Sequence, residues 1–247
     1  MELENNNLVE SILFLDLDDT LFQTKFRNKN GLYPATKTEN SQNISYMTEY
    51  QNTFLNMILS LENIKIIPLT ARILDQYNRT FISKNKKITL VSLYFGGLIL
   101  ENGIKDIIWE EQIKNNYEKM KLPLNQMYES ILEFLDKSKF RISILDNYYI
   151  SIKNKDKKSE TENIFLLEKI KEIITDEYFI HFNNNNIAIV PNFIDKKEVA
   201  KYFISKYNPK MTIGMGDSIS DFNFMSICDF KIIPSKSQIE KLLFTSF

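Results

Sequence analysis

Residues 11–17 (SILFLDL) are the stretch that most restricts the fold. The run is rich in Leu and Ile and too short for an independent helix, so it reads as a buried strand. Residues 64–69 (IKIIPL) and 88–94 (ITLVSLY) read the same way, as do 211–215 and 230–233 near the other end. Between the first two, Met47, Tyr50, Phe54, Met57, Ile58 and Leu61 recur at helical spacing and give one apolar face. Leu74, Tyr77 and Phe81 repeat the spacing, and helices are expected again over 196–207 and 221–227. Strands that alternate with helices imply an α/β protein with a parallel sheet covered by helices on both faces.

The middle of the chain has a different pattern. Asn102-Gly103 between apolar stretches is a strong hairpin signal. Residues 140–152 alternate apolar and polar around Asp146-Asn147, and 178–190 form a further strand pair around the Asn183–Asn186 run. Two helices are expected between these strands, over 125–137 and after the capping box Ser159-x-x-Glu162, with Ile164, Leu167, Ile170 and Ile174 facing inward. The chain therefore reads as a core of residues 1–94 and 191–247 interrupted by an α+β insert, 95–190.

Composition removes several function classes. Among 247 residues, 31 Lys and Arg face 32 Asp and Glu, a formal net charge of −1, so no positive excess exists for nucleic acid or an anionic membrane. One cysteine, Cys228, and one histidine, His181, exclude a Cys/His zinc site. No apolar run approaches the roughly 20 residues that span a bilayer, and the N-terminus lacks a signal pattern, which points to the cytoplasm.

The chemistry concentrates in FLDLDDTLF, where Asp16, Asp18, Asp19 and Thr20 close the first strand. Three carboxylates at a strand end are no packing device, since each unpaired charge taken out of water costs several kcal/mol. Ligands of parallel α/β sheets bind outside the carboxyl ends of the strands, and clustered oxygens suit a hard cation such as Mg²⁺. Thr70 and Arg72 follow the second strand in PLTAR, and Asp217, Ser218 and Asp221 follow a late strand in GMGDSISD, where Gly214 and Gly216 permit a tight turn.

With these motifs in this order the chain resembles the haloacid dehalogenase superfamily of phosphohydrolases: DLDDT for its first motif, Thr70 for its second, GDSISD for its fourth. The third is a lysine opening a helix, for which Lys196 and Lys197 are the candidates and Lys196 fits the pattern better. The resemblance implies a Rossmann-like core and, from the place of the insert, a type C2 cap. It further implies Asp16 as nucleophile, Asp18 as general acid and base, and Mg²⁺ held by Asp16, the main-chain carbonyl of Asp18 and Asp217. Thr70 and Lys196 would bind the phosphate of a small phosphorylated metabolite, most simply a sugar phosphate, and Arg72 would bind that substrate or else anchor its helix. Asp221, with Ser218, would orient the lysine or a metal-bound water, and Asp19 would be structural.

Ala71 and Ser220 stand where Gly and Asn are common, and residues 22–45 are longer than usual, read as a mobile flap or, alternatively, a substrate-covering element. A phosphomutase, or a module that binds a phosphorylated ligand without turnover, would share most of these residues. Trp109, Tyr148, Tyr149, His181 and Cys228 read as packing, and Lys153, Lys155, Lys157 and Lys158 as a solvated loop.

Overall fold

The computed structural model describes residues 9–156, 160–183 and 186–244. Two compact units emerge, one from the residues up to Asp106 together with those from Asp195 on, the other Ile107–Ile194.

In the first unit four strands run parallel in the order Phe230–Ile232, Met211–Met215, Ser11–Leu15, Ile64–Pro68. Ser11–Leu15 is interior to the sheet, and Ile12, Leu13, Phe14 and Leu15 are all buried. Each such side chain contributes roughly 1.5–3 kcal/mol of burial. The pairing sets Leu15 opposite both Met215 and Pro68, so three strands end level. The site is built on that edge. Leu90–Leu93 joins through one parallel bridge, Leu69 to Ser92, and then forms an antiparallel sheet with Leu98–Glu101 and Ile104–Lys105. The expected Asn102-Gly103 turn forms there, with φ of 51° and 80°, as a two-residue hairpin requires. It extends the sheet of Leu90–Leu93, which is why it stands in the first unit.

Residues 22–48 are not a loop. Gln23–Thr24, Asn43–Met47 and Tyr33–Lys37 make an antiparallel sheet, tied to the neighbouring turn by hydrogen bonds from Phe81 N to Ala35 O (2.9 Å) and Lys37 N to Arg79 O (3.0 Å). The helix Glu49–Ser60 follows, capped by Thr48. Its buried stripe is Gln51, Leu55 and Ile58, while Tyr50, Met57 and Leu61 of the expected face lie exposed. A polar residue, Gln51, thus takes an inward position that apolar periodicity assigns to its neighbours.

In the second unit a four-stranded antiparallel sheet runs Tyr178–Asn183, Asn186–Pro191, Tyr149–Asn154, Phe140–Leu145. Asp146 and Asn147 carry positive φ at the tight turn expected of them. Met127 and Ile131 of Leu124–Leu132, and Leu166 and Ile170 of Glu160–Ile173, pack with Ile150, Ile152, Ile187 and Ile189. Asn163, hydrogen-bonded to Asn154 at 2.9 Å, is buried in that second helix, and Ile164 points outward, contrary to the apolar-face reading. A helix not foreseen, Ile107–Glu118, buries Trp109 and Ile113 but exposes Ile107 and Ile108, which blurred its periodicity. Ser159, Lys157 and Lys158, and two residues of the Asn run, fall outside the described residues. Among the described residues no helix is long and apolar enough to cross a membrane.

Candidate active site

Asp16 is the first residue beyond the Ser11–Leu15 strand, and its N–H still donates to Met215 O at 2.9 Å. The chain then turns sharply: Leu21 N bonds Leu17 O, and Asp19 adopts a φ of 63° with its N–H on Phe22 O. That left-handed residue suits an aspartate better than most L side chains. Its carboxylate pairs with Arg27 and its carbonyl accepts from Gln23 Nε2 at 2.7 Å.

The turn delivers Asp16 and Thr20 inward and Asp18 outward. Thr20, fully buried, donates its hydroxyl to Asp16 Oδ2 at 2.8 Å and lies 3.2 Å from Asp217 Oδ1. Thr20 stands in the DLDDT motif, so its signal was present although it was not singled out as a site residue. Gln51, also missed, donates to the Thr20 carbonyl at 3.2 Å and accepts from Thr48, and the spacing Thr48-x-x-Gln51 is itself a capping-box signal.

Lys196 opens the helix Lys196–Tyr207, whose cap is Asp195, hydrogen-bonded to Lys197 N at 2.7 Å. Its ammonium donates to Asp16 Oδ1 at 2.6 Å and to Asp221 Oδ1 at 2.7 Å. Lys196, rather than Lys197, therefore reaches the cluster. Asp221 Oδ2 accepts from the Ser218 N–H (3.1 Å) and hydroxyl (2.6 Å), so both of its oxygens are engaged. Gly216 makes this possible: a Cβ there would stand 2.5 Å from the Asp221 Cβ.

Electrostatics sets one lysine against three buried carboxylates. Burial first, then repulsion from Asp221, pushes Asp16 up to about 8 against the pull of Lys196. Burial and Asp221 likewise push Asp217 up to about 6. For Lys196, burial opposes the charge, but attraction to Asp16 and Asp221 outweighs it and holds the ammonium above its ordinary range. Asp221 moves down, because Lys196 and Ser218 outweigh its burial. The carboxylate oxygens of Asp16, Asp217 and Asp221 gather within 4.8 Å. Hard oxygen donors with uncompensated negative charge fit a divalent cation such as Mg²⁺. Asp16 accepts one hydrogen bond on each oxygen and Asp217 Oδ1 faces the Thr20 hydroxyl, whereas Asp221 accepts three, from the lysine and the serine.

Thr70, buried, lies at the end of the neighbouring strand with its N–H on Ser92 O at 3.0 Å, and its hydroxyl accepts from Arg72 N at 3.2 Å. Arg72 reaches Asp18: Nε and Nη2 donate to its two oxygens at 2.7 and 2.6 Å.

No protein-family model matches the chain, and no curated protein does. Solved structures do. The sucrose-phosphatase of Synechocystis sp. PCC6803, solved with sucrose and phosphate, superposes with a TM-score of 0.60 at 14% identity, over 96% of this chain and 87% of its own. The C-terminal domain of a C. albicans trehalose-6-phosphate phosphatase gives 0.56 at 15% identity, over 88% and 73%. Plasmodium falciparum IMP-nucleotidase gives 0.54 at 14%, over 97% and 68%. With a parallel four-stranded core sheet and additional antiparallel sheets, the chain has the α/β fold of these solved phosphatase and nucleotidase structures.

Proposed function

We propose that the chain is a Mg²⁺-dependent phosphomonoester hydrolase acting on a small phosphorylated metabolite of the sugar-phosphate class. One observation carries the reading: a carboxylate at the end of the central strand, Asp16, shares a single buried cluster with Lys196, Thr20, Asp217 and Asp221. Phosphoryl transfer asks for a positioned nucleophile and neutralised oxygens more than for elaborate covalent machinery, and this cluster offers both. The neighbours that act on sucrose phosphate and trehalose-6-phosphate support the substrate class.

In the reaction, an oxygen of Asp16 attacks phosphorus while the bond to the leaving oxygen breaks, giving an aspartyl-phosphate. Asp18 hands its proton to the leaving oxygen, then takes one from the water that hydrolyses the intermediate. Lys196 and the Thr70 hydroxyl bind phosphoryl oxygens, and Asp221, fixed by Ser218, aligns the lysine. Asp16, Asp217 and the Asp18 carbonyl would hold a cation, which would supply charge neutralisation for the transfer. The insert, whose compact unit is Ile107–Ile194, serves in this reading as the cap that chooses the substrate.

The test is phosphate release from a panel of phosphorylated sugars and nucleotides, with Mg²⁺ and with EDTA. Turnover is expected only with the metal. Rapid quench with an aryl phosphate should leave Asp18→Asn carrying a phosphoryl group by intact mass and Asp16→Asn unmodified. Equal labelling of both would place the nucleophile elsewhere.

A further inference from the structure

Arg72 is anchored from three sides before it meets Asp18. Its Nη1 donates to the Gln76 carbonyl at 3.2 Å, its main-chain N–H donates to Thr70 Oγ1 at 3.2 Å, and its guanidinium lies 5.2 Å from the centre of the Phe22 ring. The side chain is 15% exposed, whereas that of Asp18 is 49% exposed. The arginine is therefore the fixed partner and the aspartate the one that is set. The two-bond fork to Asp18 fixes the plane of the carboxylate as well as its position, which a single hydrogen bond or a lysine cannot do. With Nε and one Nη2 hydrogen on Asp18 and one Nη1 hydrogen on Gln76, most of the guanidinium edge is already committed to the protein.

We infer that Arg72 is a positioning residue that orients Asp18 for the acid–base step, and not a clamp for the phosphoryl group. The inference rests on the phosphatase reading above. Asp18 loses its proton to the leaving oxygen as the phosphorus–oxygen bond breaks and regains one from water, while Arg72 keeps all its protons throughout. What the arginine controls is direction. A general acid turned away from the leaving oxygen helps little where the leaving group needs a proton, and its misplacement is harmless where the leaving group departs unaided.

The experiment is a leaving-group series of phenyl, nitrophenyl and dinitrophenyl phosphates, with kcat/KM measured for wild type, Arg72→Met and Arg72→Lys; that ratio reports the phosphorylation half-reaction. Both variants are expected to lose about 10- to 100-fold on phenyl phosphate and less than about threefold on dinitrophenyl phosphate. Arg72→Lys keeps the charge and guards against a variant that merely fails to fold, and circular dichroism checks both. In an Asp18→Asn background, adding Arg72→Met should cost nothing further on phenyl phosphate. An equal loss on all three esters, carried by KM, would make Arg72 a phosphate clamp and overturn the inference, as would no loss on any. Wild-type protein that releases phosphate from none of the esters would overturn the phosphatase reading, and this inference with it.

Discussion

Lys196 divides one positive charge between Asp16 and Asp221, and leaves Asp217 to the hydroxyl of Thr20. The consequence is measurable without turnover. Asp217→Asn keeps the shape of the side chain and removes a buried carboxylate charge that Asp221 repels, so in EDTA at neutral pH it should melt above wild type, by on the order of 1–2 kcal/mol. Mg²⁺ should raise the melting temperature of wild type and leave that of Asp217→Asn nearly unchanged, because only a native state that binds the ion is stabilised by it. A variant that melts lower in EDTA, or that responds to Mg²⁺ as wild type does, would remove Asp217 from the cation site. The same substitution should abolish phosphate release, an instance of stability given up for activity. The assignment of Lys196 over Lys197 is also a matter of single residues: Asp195 caps the helix through Lys197 N, and this turns the preceding residue's side chain into the cluster.

Turns and caps place these groups, and two of them invite substitution. Gly216→Ala sets a methyl carbon 2.5 Å from the Asp221 Cβ and 2.9 Å from its Cγ, where neither can yield without moving the lysine's partner. The variant should lose about 1–3 kcal/mol of stability by overpacking and roughly 10²-fold in kcat through displacement of Lys196; unfolding and steady-state assays read the two separately. In the second unit, the Glu177 carboxylate accepts the N–H groups of Lys121 and Leu122, both at 2.9 Å, just ahead of the Leu124–Leu132 helix. Those two bonds hold its titration below the usual 4.5. A depressed carboxylate stabilises the fold above its unfolded value, and that contribution is lost as pH falls through the folded one. Glu177→Ala should therefore melt below wild type at neutral pH and converge with it under acid conditions; a constant gap across pH would mean the loss is packing alone. The sequence made some of these elements plain and hid others for a physical reason. Strands with continuous apolar runs, and turns with Asn-Gly or Asp-Asn, announce themselves. The Glu49–Ser60 and Glu160–Ile173 helices were legible as helices but not in the face they bury, because each buries an amide, Gln51 or Asn163, that is held there by hydrogen bonds and not by hydrophobicity. The sheet formed by residues 22–48 was hidden because its hydrogen bonds run partly to the distant turn at Arg79 and Phe81.

At the scale of the molecule, the core sheet and the residues on its edge were legible together because they are one phenomenon. A strand buried on all sides cannot carry polar groups along its length, so chemistry is confined to where the ladder stops. Asp16, Thr70 and Asp217 each follow within two residues of such a stop. What stayed out of reach was the long-range use of those groups, Thr20 beside Asp217 and Arg72 on Asp18, since neither pairing has any signature in local spacing. The level ending of the strands has a consequence for how freely the sequence can vary. Leu15 stands beside Met215 and Pro68, and nothing in that register specifies which apolar residue fills Ile12, Leu13 or Phe14, only that one does. Mutational drift can thus rewrite nearly the whole interior while the backbone and its rim endure. A chain can therefore share only 14% of its residues with the sucrose-phosphatase and still follow the same fold over 96% of its length.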